Sequence, residues 1–306
     1  MSIGRKLCRS GKANSKKRSE YLNALLFIMP QVIGMMIFTI IPVLFSLYLS
    51  FSDWDMLSGL NNINLVGIKN YVNIWKDAVF KESFWNTIVF SVATVVLELS
   101  LGIVCAVLID KFVYGSSYFK VAFFIPYISS LVAVSVVFKA LLQPTNGPVN
   151  QMLRAIGVEN PPGWFGDSKW ALASIILLTV WRDLGYYIIV YLAAIKGVSK
   201  ELYESASIDG AGNITQFFKI TLPMVRPTVF FLMVTGIIGS FKAFDQIAVT
   251  TQGGPGSSSS VLAYYVYNSA FNYYKMGYAS SMAWVLFVLI FIVTALQWKF
   301  QSMDVE

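Results

Sequence analysis

The chain has 306 residues, of which 56% are apolar and 13% are charged. This composition is too apolar for a soluble globular domain and indicates a membrane protein. The sequence has no His, and its two cysteines are 97 positions apart, at Cys8 and Cys105. The commonest general base, a zinc-binding spacing and a disulfide framework are therefore excluded as a basis for function.

Seven of the 23 Lys and Arg residues lie in the first twenty positions. Such a cluster beside an apolar run is typical of a cytoplasmic tail that flanks a membrane helix, rather than of a nucleic-acid site. A signal peptide is the alternative, but the uncharged run Leu22–Phe51 exceeds the roughly 7–15 residues of its apolar region. We expect a basic cytoplasmic tail over 1–20, then a first transmembrane helix and an external loop over 21–85.

Five further apolar runs are each long enough to cross a bilayer, which takes about 20 residues. They lie at approximately 86–109, 121–142, 171–195, 229–250 and 279–298. Six spans leave both chain ends on the same side of the membrane. Most cationic residues, 14 of 23, fall in the tail, in 110–120, in 196–228 and at the C-terminal end. The positive-inside rule therefore predicts that both termini and the 196–228 loop are cytoplasmic.

The 196–228 loop has the pattern of two short helices joined by a turn. Ser199 can cap the first helix, and Glu201 lies in its first turn, where the helix dipole favours an anion. Gly210 follows Asp209 and permits a positive φ at a turn. Asn213 and Gln216, three residues apart, predict the start of the second helix.

This loop resembles the EAA loop of binding-protein-dependent ABC importer permeases. The resemblance lies in Glu204-Ser205-Ala206, where Ser205 departs from the pattern, in Asp209-Gly210-Ala211 and in Ile220-Thr221-Leu222-Pro223. In that family the loop is cytoplasmic and docks into a groove on an ATPase subunit. The resemblance thus implies a set of ATPase-coupling residues, which are Glu204, Ala206, Asp209, Gly210 and Ala211.

Other segments resemble the carbohydrate branch of these permeases, which includes the maltose, lactose and glycerol-phosphate types. They are Phe124-Ile-Pro126-Tyr, Gly147-Pro-Val-Asn150, Phe244-Asp245-Gln246-Ile247 and Thr250-Thr-Gln-Gly253-Gly254-Pro255. The family implies four kinds of partner in a bacterial plasma (inner) membrane. These are a second homologous permease, two ATPase subunits that hold ATP and Mg, an extracytoplasmic solute-binding protein, and the sugar.

Charged residues inside apolar runs are costly and usually face a bundle interior or a cavity. They are Glu98, Arg182, Asp183, Lys242 and Asp245. Because Lys242 and Asp245 are three residues apart, we expect them on one helical face and able to pair. They either line the sugar pathway or form a structural salt bridge. For Arg182 and Asp183 we favour a structural role, since adjacent side chains on a helix point in different directions.

Aromatic faces suit the apolar faces of sugar rings, although aromatic residues near span ends more often serve packing or the membrane interface. Two tyrosines, four residues apart in the fourth run, are candidates for this role. The predicted substrate pathway consists of Tyr187, Tyr191, Lys242, Asp245 and Gln246.

The sequence contains no G-x-x-x-x-G-K-[ST], no G-x-S-x-G and no H-E-x-x-H pattern. We therefore expect no ATPase site, catalytic residue, metal or cofactor of its own. The prediction is an all-α integral membrane permease with six transmembrane helices and a coupling-helix loop between the fourth and fifth. Residues 86–300 form the permease core, which moves a mono- or oligosaccharide or a related polyol. The alternatives are a non-sugar solute within the same superfamily, or an ATP-independent secondary transporter or channel.

Overall fold

The structure is a computed structural model that describes residue 21, residues 24–112 and residues 116–302. The predicted basic tail over 1–20 and the last four residues lie outside the described residues. The first apolar run is described from residue 24 onward.

The N-terminal part combines two long helices with a small sheet between them. Its elements are α1 (Ala24–Ser50, with a π-helical turn at Met36–Ile40), β1 (Ser52–Asp53), β2 (Asn64–Leu65), α2 (Lys69–Ile74) and α3 (Ala78–Phe112). The two strands pair antiparallel, and 3₁₀ turns at Met56–Ser58 and Leu60–Asn62 lie between them. This two-residue ladder departs from the all-α prediction, and it is confined to a loop between two long helices.

The middle part is helical with one loop rich in Pro and Gly. Its elements are α4 (Ser116–Ile128), α5 (Leu131–Leu141), α6 (Pro148–Ala155), a 3₁₀ turn at Trp164–Gly166 and α7 (Ala171–Lys196).

The C-terminal part begins with the helix–turn–helix and ends with a long helix. Its elements are α8 (Lys200–Ile208), α9 (Asn213–Gln216), a π-helical turn at Phe217–Thr221, α10 (Leu222–Met224), α11 (Arg226–Phe241), α12 (Asp245–Thr250), α13 (Leu262–Tyr267), a π-helical turn at Asn268–Asn272 and α14 (Met276–Ser302).

Four helices, α1, α3, α7 and α14, are long and apolar enough to cross a membrane. Two bent pairs also meet this test together: α4 with α5, at 97°, and 213–224 with α11, at 66°. The described chain thus has four to six candidate spans. The third predicted run is not one straight helix, because it breaks at Ser129 and Ser130. Pro126, inside α4, has no N–H to donate to the preceding turn, and Pro is a common cause of sharp kinks.

The fifth predicted run is also interrupted. Helix α11 ends at Phe241, and α12 begins only at Asp245. The N–H groups of Lys242 and Ala243 donate to the carbonyls of Gly239 and Ser240, three residues back, so the last turn is tightened. A Gly-Ser pair is a usual place for a helix to break. Lys242 consequently lies in the break, whereas Asp245 is the first residue of α12.

Close helix approaches organise the centre of the bundle. A Cβ added at Gly102 of α3 would lie 2.8 Å from the Tyr187 Cβ of α7. A Cβ at Gly185 would collide with the Phe123 carbonyl of α4, and one at Gly236 of α11 would collide with the Tyr187 hydroxyl. Small residues let helix backbones approach closely in membranes. These three contacts bring α3, α4 and α11 against α7.

Helix α1 is largely outside this bundle. Its side chains are mostly exposed, and only its C-terminal part packs against α14. The Trp284 indole Nε1 of α14 donates to the Ser46 hydroxyl over 3.2 Å. At the start of α14, Gly277 lies against the Ser52 carbonyl so closely that a Cβ would collide with it.

Candidate functional site

A cavity of about 410 Å³ lies between two buried apolar clusters of the bundle. One cluster is centred on Phe90 and Ile175, and the other on Ile188 and Leu232. Helices α3, α7 and α11 form the walls, together with the break between α4 and α5 and the break between α11 and α12. Irregular backbone at membrane depth is tolerated where it is buried in protein or lines a water-filled cavity, so the two breaks fit this place.

Four of the five predicted substrate-pathway residues line this cavity: Tyr187, Lys242, Asp245 and Gln246. The fifth, Tyr191, is fully buried in the cluster between α7 and α3, where its ring lies 3.3 Å from a Cβ built at Gly102. The structure therefore brings four of the candidates together and places Tyr191 one helical turn away, in packing.

The prediction that Lys242 and Asp245 lie on one helical face and are able to pair is wrong. The helix break separates them, both are exposed, and no ion pair joins them within 4.0 Å. The i, i+3 argument requires continuous helix between the two positions, and Gly239-Ser240 ends that helix first. Both charges lie at the open edge of the cavity.

Arg182 and Asp183 form an ion pair of 2.6 Å on α7, which agrees with the structural role we favoured. The long Arg182 side chain reaches back to its neighbour, even though adjacent Cα–Cβ bonds diverge. Its Nη2 also donates to the Tyr127 carbonyl over 3.2 Å, and its guanidinium lies 5.5 Å from the Tyr127 ring centroid. This cluster ties α7 to α4 and at the same time lines the cavity.

Glu98, like Arg182 and Asp183, is a charged lining residue that the predicted pathway omits. It lies in α3, is only 4% exposed and lines the same cavity as Tyr187. Its signal in the sequence is a carboxylate inside an apolar run. That signal could not show which way the side chain points, because the α3 run has no clear polar face.

The helix–turn–helix of residues 199–224 forms as the sequence predicts. The Ser199 hydroxyl accepts from the Glu201 N–H, and Gly210 has a φ of 79°. The Ala211 N–H donates to the Ala206 carbonyl over 2.8 Å, which closes the end of α8. Gly212 rather than Asn213 occupies the N-cap of α9.

Four polar contacts hold this loop together and tie it to α3. The Gln216 amide donates to the Ser207 hydroxyl (2.9 Å) and to the Ala211 carbonyl (3.1 Å). The Lys111 ammonium of α3 donates to the side-chain oxygens of Asn213 and Gln216, each over 3.3 Å. Among the predicted coupling residues, Glu204, Asp209 and Gly210 are exposed, while Ala206 and Ala211 are half-buried.

At the opposite end of α3, Asp77 joins three segments. Its carboxylate accepts from the Tyr265 hydroxyl (2.6 Å), the Tyr278 hydroxyl (2.8 Å) and the Val79 N–H (2.9 Å). Burial opposes ionisation, but the hydrogen bonds outweigh it and hold the pKa of Asp77 below its usual range. Burial and the neighbouring carboxylate raise the pKa of Tyr265. Asp77 therefore remains an ionised acceptor at neutral pH.

Comparison with known proteins identifies the class of this chain. Residues 98–301 match the family of binding-protein-dependent transport system inner membrane components. Relatives include the probable ABC transporter permease protein YurN of Bacillus subtilis, 35% identical over 90% of this chain and 94% of the relative. The lactose transport system permease protein LacF of Rhizobium radiobacter is 34% identical over 93% of this chain and 95% of the relative. The chain belongs to this family of ABC permeases and is an integral membrane protein.

The fold is shared with a solved ABC transporter. A crystal structure of a bacterial transporter involved in the import of the acidic polysaccharide alginate has a chain with a TM-score of 0.82 to this one. The two chains are 24% identical over 96% of this chain and 99% of that chain. This likeness shows the fold.

Proposed function

We propose that the chain is one permease subunit of an ATP-driven importer that carries a mono- or oligosaccharide, or a related polyol, into a bacterial cell. It pairs with a second homologous permease in the plasma membrane. A binding protein delivers the solute from outside, and two ATPase subunits hold ATP and Mg and hydrolyse the ATP. Each bent pair counts as one span, so the chain crosses six times and both termini are cytoplasmic. The basic tail over 1–20 then lies beside the cytoplasmic start of the first span.

The observation that carries the proposal is the exposed helix–turn–helix with Glu204 on its surface. None of the residues of α8 is buried, and its exposed side chains include the apolar Leu202 and Ile208. A short amphipathic helix with an exposed apolar side chain and carboxylate suits a groove on a partner. In this reading the partner is the ATPase subunit, and Glu204 offers a carboxylate to a cation there.

Two connections would carry movement of this loop to the cavity. Lys111 attaches the loop to α3, the helix that holds Glu98. In the other direction the chain runs through α10 directly into α11, where Gly236 lines the cavity. Movement of α8 would thus reach two walls of the cavity through the turn at residues 209–212, α9 and the helices that follow it.

The cavity has the chemistry for a hydroxyl-rich solute. Its lining combines amide, hydroxyl and carboxylate groups with the aromatic rings of Tyr127, Tyr186 and Tyr187. Polyhydroxylated rings need both hydrogen-bond partners and flat apolar surfaces. The lactose permease relative supports a sugar as the class of solute.

The test is transport by the complete complex, reconstituted with both permeases, the ATPases and the binding protein. Glu204→Ala should lower solute-stimulated ATP hydrolysis and uptake by about tenfold or more, since a charge-assisted hydrogen bond contributes about 1.5–3 kcal/mol. Glu159→Ala removes an exposed carboxylate far from the loop and should have no effect. Affinity of the isolated binding protein for solute should not change. Wild-type rates in Glu204→Ala would contradict the coupling role, and uptake without ATPase subunits would favour a secondary transporter.

A further inference from the structure

A second cavity, of about 420 Å³, lies at the end of α3 that is remote from the helix–turn–helix. It shares no lining residue with the cavity between α3, α7 and α11, which we call the transport cavity. Its volume is within the range of small-molecule pockets, which is roughly 300–1,000 Å³. The lining residues that are exposed or half-buried include Asp53, Trp54, Lys69, Asn73, Tyr273 and Lys275.

Backbone hydrogen bonds join the two loops that form this second cavity. The Gly277 N–H donates to the Trp54 carbonyl, and the Met56 N–H donates to the Tyr274 carbonyl, each over 3.2 Å. Asp77, which also lines the cavity, accepts from the hydroxyls of two tyrosines on α13 and α14. The walls are therefore held in place by the fold itself, as is usual for small-molecule sites.

Three charged side chains of the lining are not paired with one another. Asp53, Lys69 and Lys275 are exposed, and none of them forms an ion pair within 4.0 Å with any residue that the structure describes. Together with the Asn73 amide, they offer both hydrogen-bond donors and acceptors to a molecule in the cavity. A hydroxyl group both donates and accepts hydrogen bonds, so a ligand with several hydroxyls can use both kinds of group.

Two aromatic rings lie in the same lining. The Trp54 indole is half-buried, and its Nε1 donates to the Gly59 carbonyl over 3.0 Å, which fixes the orientation of the ring. Tyr273 is 59% exposed. Covering the apolar face of an exposed ring favours binding. A sugar ring has apolar C–H faces and hydroxyls around its edge, so it can use the aromatic rings and the polar groups together.

We propose that this second cavity is a saccharide-binding site, separate from the transport cavity, that takes a mono- or disaccharide. The inference rests on the proposed function for its location, because the six-span arrangement places both loops outside the cell. A site there meets a saccharide before it enters the membrane, either free in solution or carried by the binding protein.

The experiment measures how saccharides protect a cysteine in the lining from a thiol reagent. Asn73→Cys is made in the reconstituted complex of permeases and ATPases, with Cys8 and Cys105 replaced by Ser and the binding protein left out. Labelling of this chain is followed by mass spectrometry, with arabinose, galactose, lactose or trehalose added singly. At a concentration about tenfold above a Kd of about 1 mM the site is about nine-tenths occupied, so labelling should slow about tenfold.

Controls for this experiment separate binding in the cavity from a general effect of sugar. Val72→Cys, exposed on α2 outside the lining, should be labelled at the same rate with and without sugar. Betaine at the same osmolality should not slow labelling of Asn73→Cys.

Three further variants in the Asn73→Cys background locate the bound saccharide. Tyr273→Ala removes an aromatic ring of the lining and should abolish most of the protection. Phe271→Ala removes an exposed ring of the same loop that is outside the lining, and it should not. Lys242→Ala changes the transport cavity and should leave the protection unchanged.

Protection by none of the four saccharides overturns the inference, as does protection that persists in Tyr273→Ala or is lost in Lys242→Ala. Protection only when the binding protein is added, with or without sugar, would make the cavity a contact for that protein and would also overturn the inference. Uptake is measured in parallel with the binding protein present. Uptake of a sugar without protection leaves the proposed function intact, whereas no uptake of any sugar contradicts the proposed function.

Discussion

Residues of the same type have different roles in this protein, because their surroundings differ. Gly236 and Gly239 are one turn apart on α11 and both line the cavity. A Cβ at Gly236 would strike the Tyr187 hydroxyl, whereas nothing lies within 4 Å of a Cβ at Gly239. Glu98 and Asp245 are both carboxylates inside apolar runs, yet Glu98 is buried and Asp245 is exposed.

Gly236→Ala is expected to displace the Tyr187 ring from its position between α3 and α11. The added methyl group gains about 1 kcal/mol of helix propensity at either glycine, so a comparison with Gly239→Ala cancels that gain. Overpacking typically costs about 1–3 kcal/mol. We expect a lower unfolding midpoint and slower uptake for Gly236→Ala than for Gly239→Ala, measured in the purified complex. Equal midpoints for the two variants would contradict the close contact at Tyr187.

Asp77→Ala is expected to destabilise the end of the bundle where α2, α13 and α14 meet. It removes the acceptor for the first N–H groups of α3, which typically contributes about 0.5–2 kcal/mol, and leaves the Tyr265 and Tyr278 hydroxyls without their acceptor. The unfolding midpoint should fall at neutral pH, whereas Glu159→Ala should not change it.

The contribution of Asp77 to the stability of the fold should decrease only when the pH is lowered into strong acid. The folded-state pKa is below the unfolded value of about 3.9, so the stabilisation is complete above that value and is lost as the pH falls through the folded pKa. The difference in midpoint between wild type and Asp77→Ala should be equal at pH 7 and pH 5 and shrink only in stronger acid. A difference that already shrinks between pH 7 and pH 5 would contradict the lowered pKa.

At the scale of elements, the cavity and the helix–turn–helix both lie where helices are interrupted. The break after α4 and the break after α11 open the cavity, and the Gly210 turn directs α9 back towards α3. Each interruption lies beside a residue or pair that disfavours continued helix: Pro126, Gly239-Ser240 and Gly210.

Gly210→Val is expected to misdirect α9 relative to α8. A residue with a Cβ in the left-handed region costs roughly 1–2 kcal/mol, and Gly210 has a φ of 79°. Gly212, two residues later, has a φ of −70° and no atom within 4 Å of an added Cβ, so Gly212→Val is a matched control. Solute-stimulated ATP hydrolysis should fall strongly in Gly210→Val and little in Gly212→Val. Similar activity of both variants would show that the turn conformation does not matter for coupling.

At the scale of the whole molecule, the charge distribution predicts the orientation in the membrane. The helix–turn–helix around Gly210 and the loop around Gly254 should face opposite sides, since an odd number of proposed spans separates them. A reporter fused after Gly210 should behave as cytoplasmic, and one after Gly254 as external. The reverse result at either position contradicts the six-span arrangement.

The sequence by itself determined the class of membrane protein, the positions of the apolar runs and the helix–turn–helix. These features depend on local signals: run length, caps such as Ser199, and a turn glycine at Gly210. The family followed from motifs in the 196–228 loop and near residues 244–255, and the match over residues 98–301 confirms it.

Only the tertiary structure decided which of the charged and aromatic residues share a cavity. Hydrophobic periodicity is weak in helices that are apolar on every side, so it could not orient Glu98 or separate Tyr187 in the cavity from Tyr191 in the core. The break at residues 242–244 left Lys242 outside α11 and placed Asp245 at the start of α12, so the two charges do not share a helical face. In a membrane protein both the lipid-facing and the buried surfaces of a helix are apolar. The amino-acid composition of a helix therefore does not show which of its faces contacts the solute.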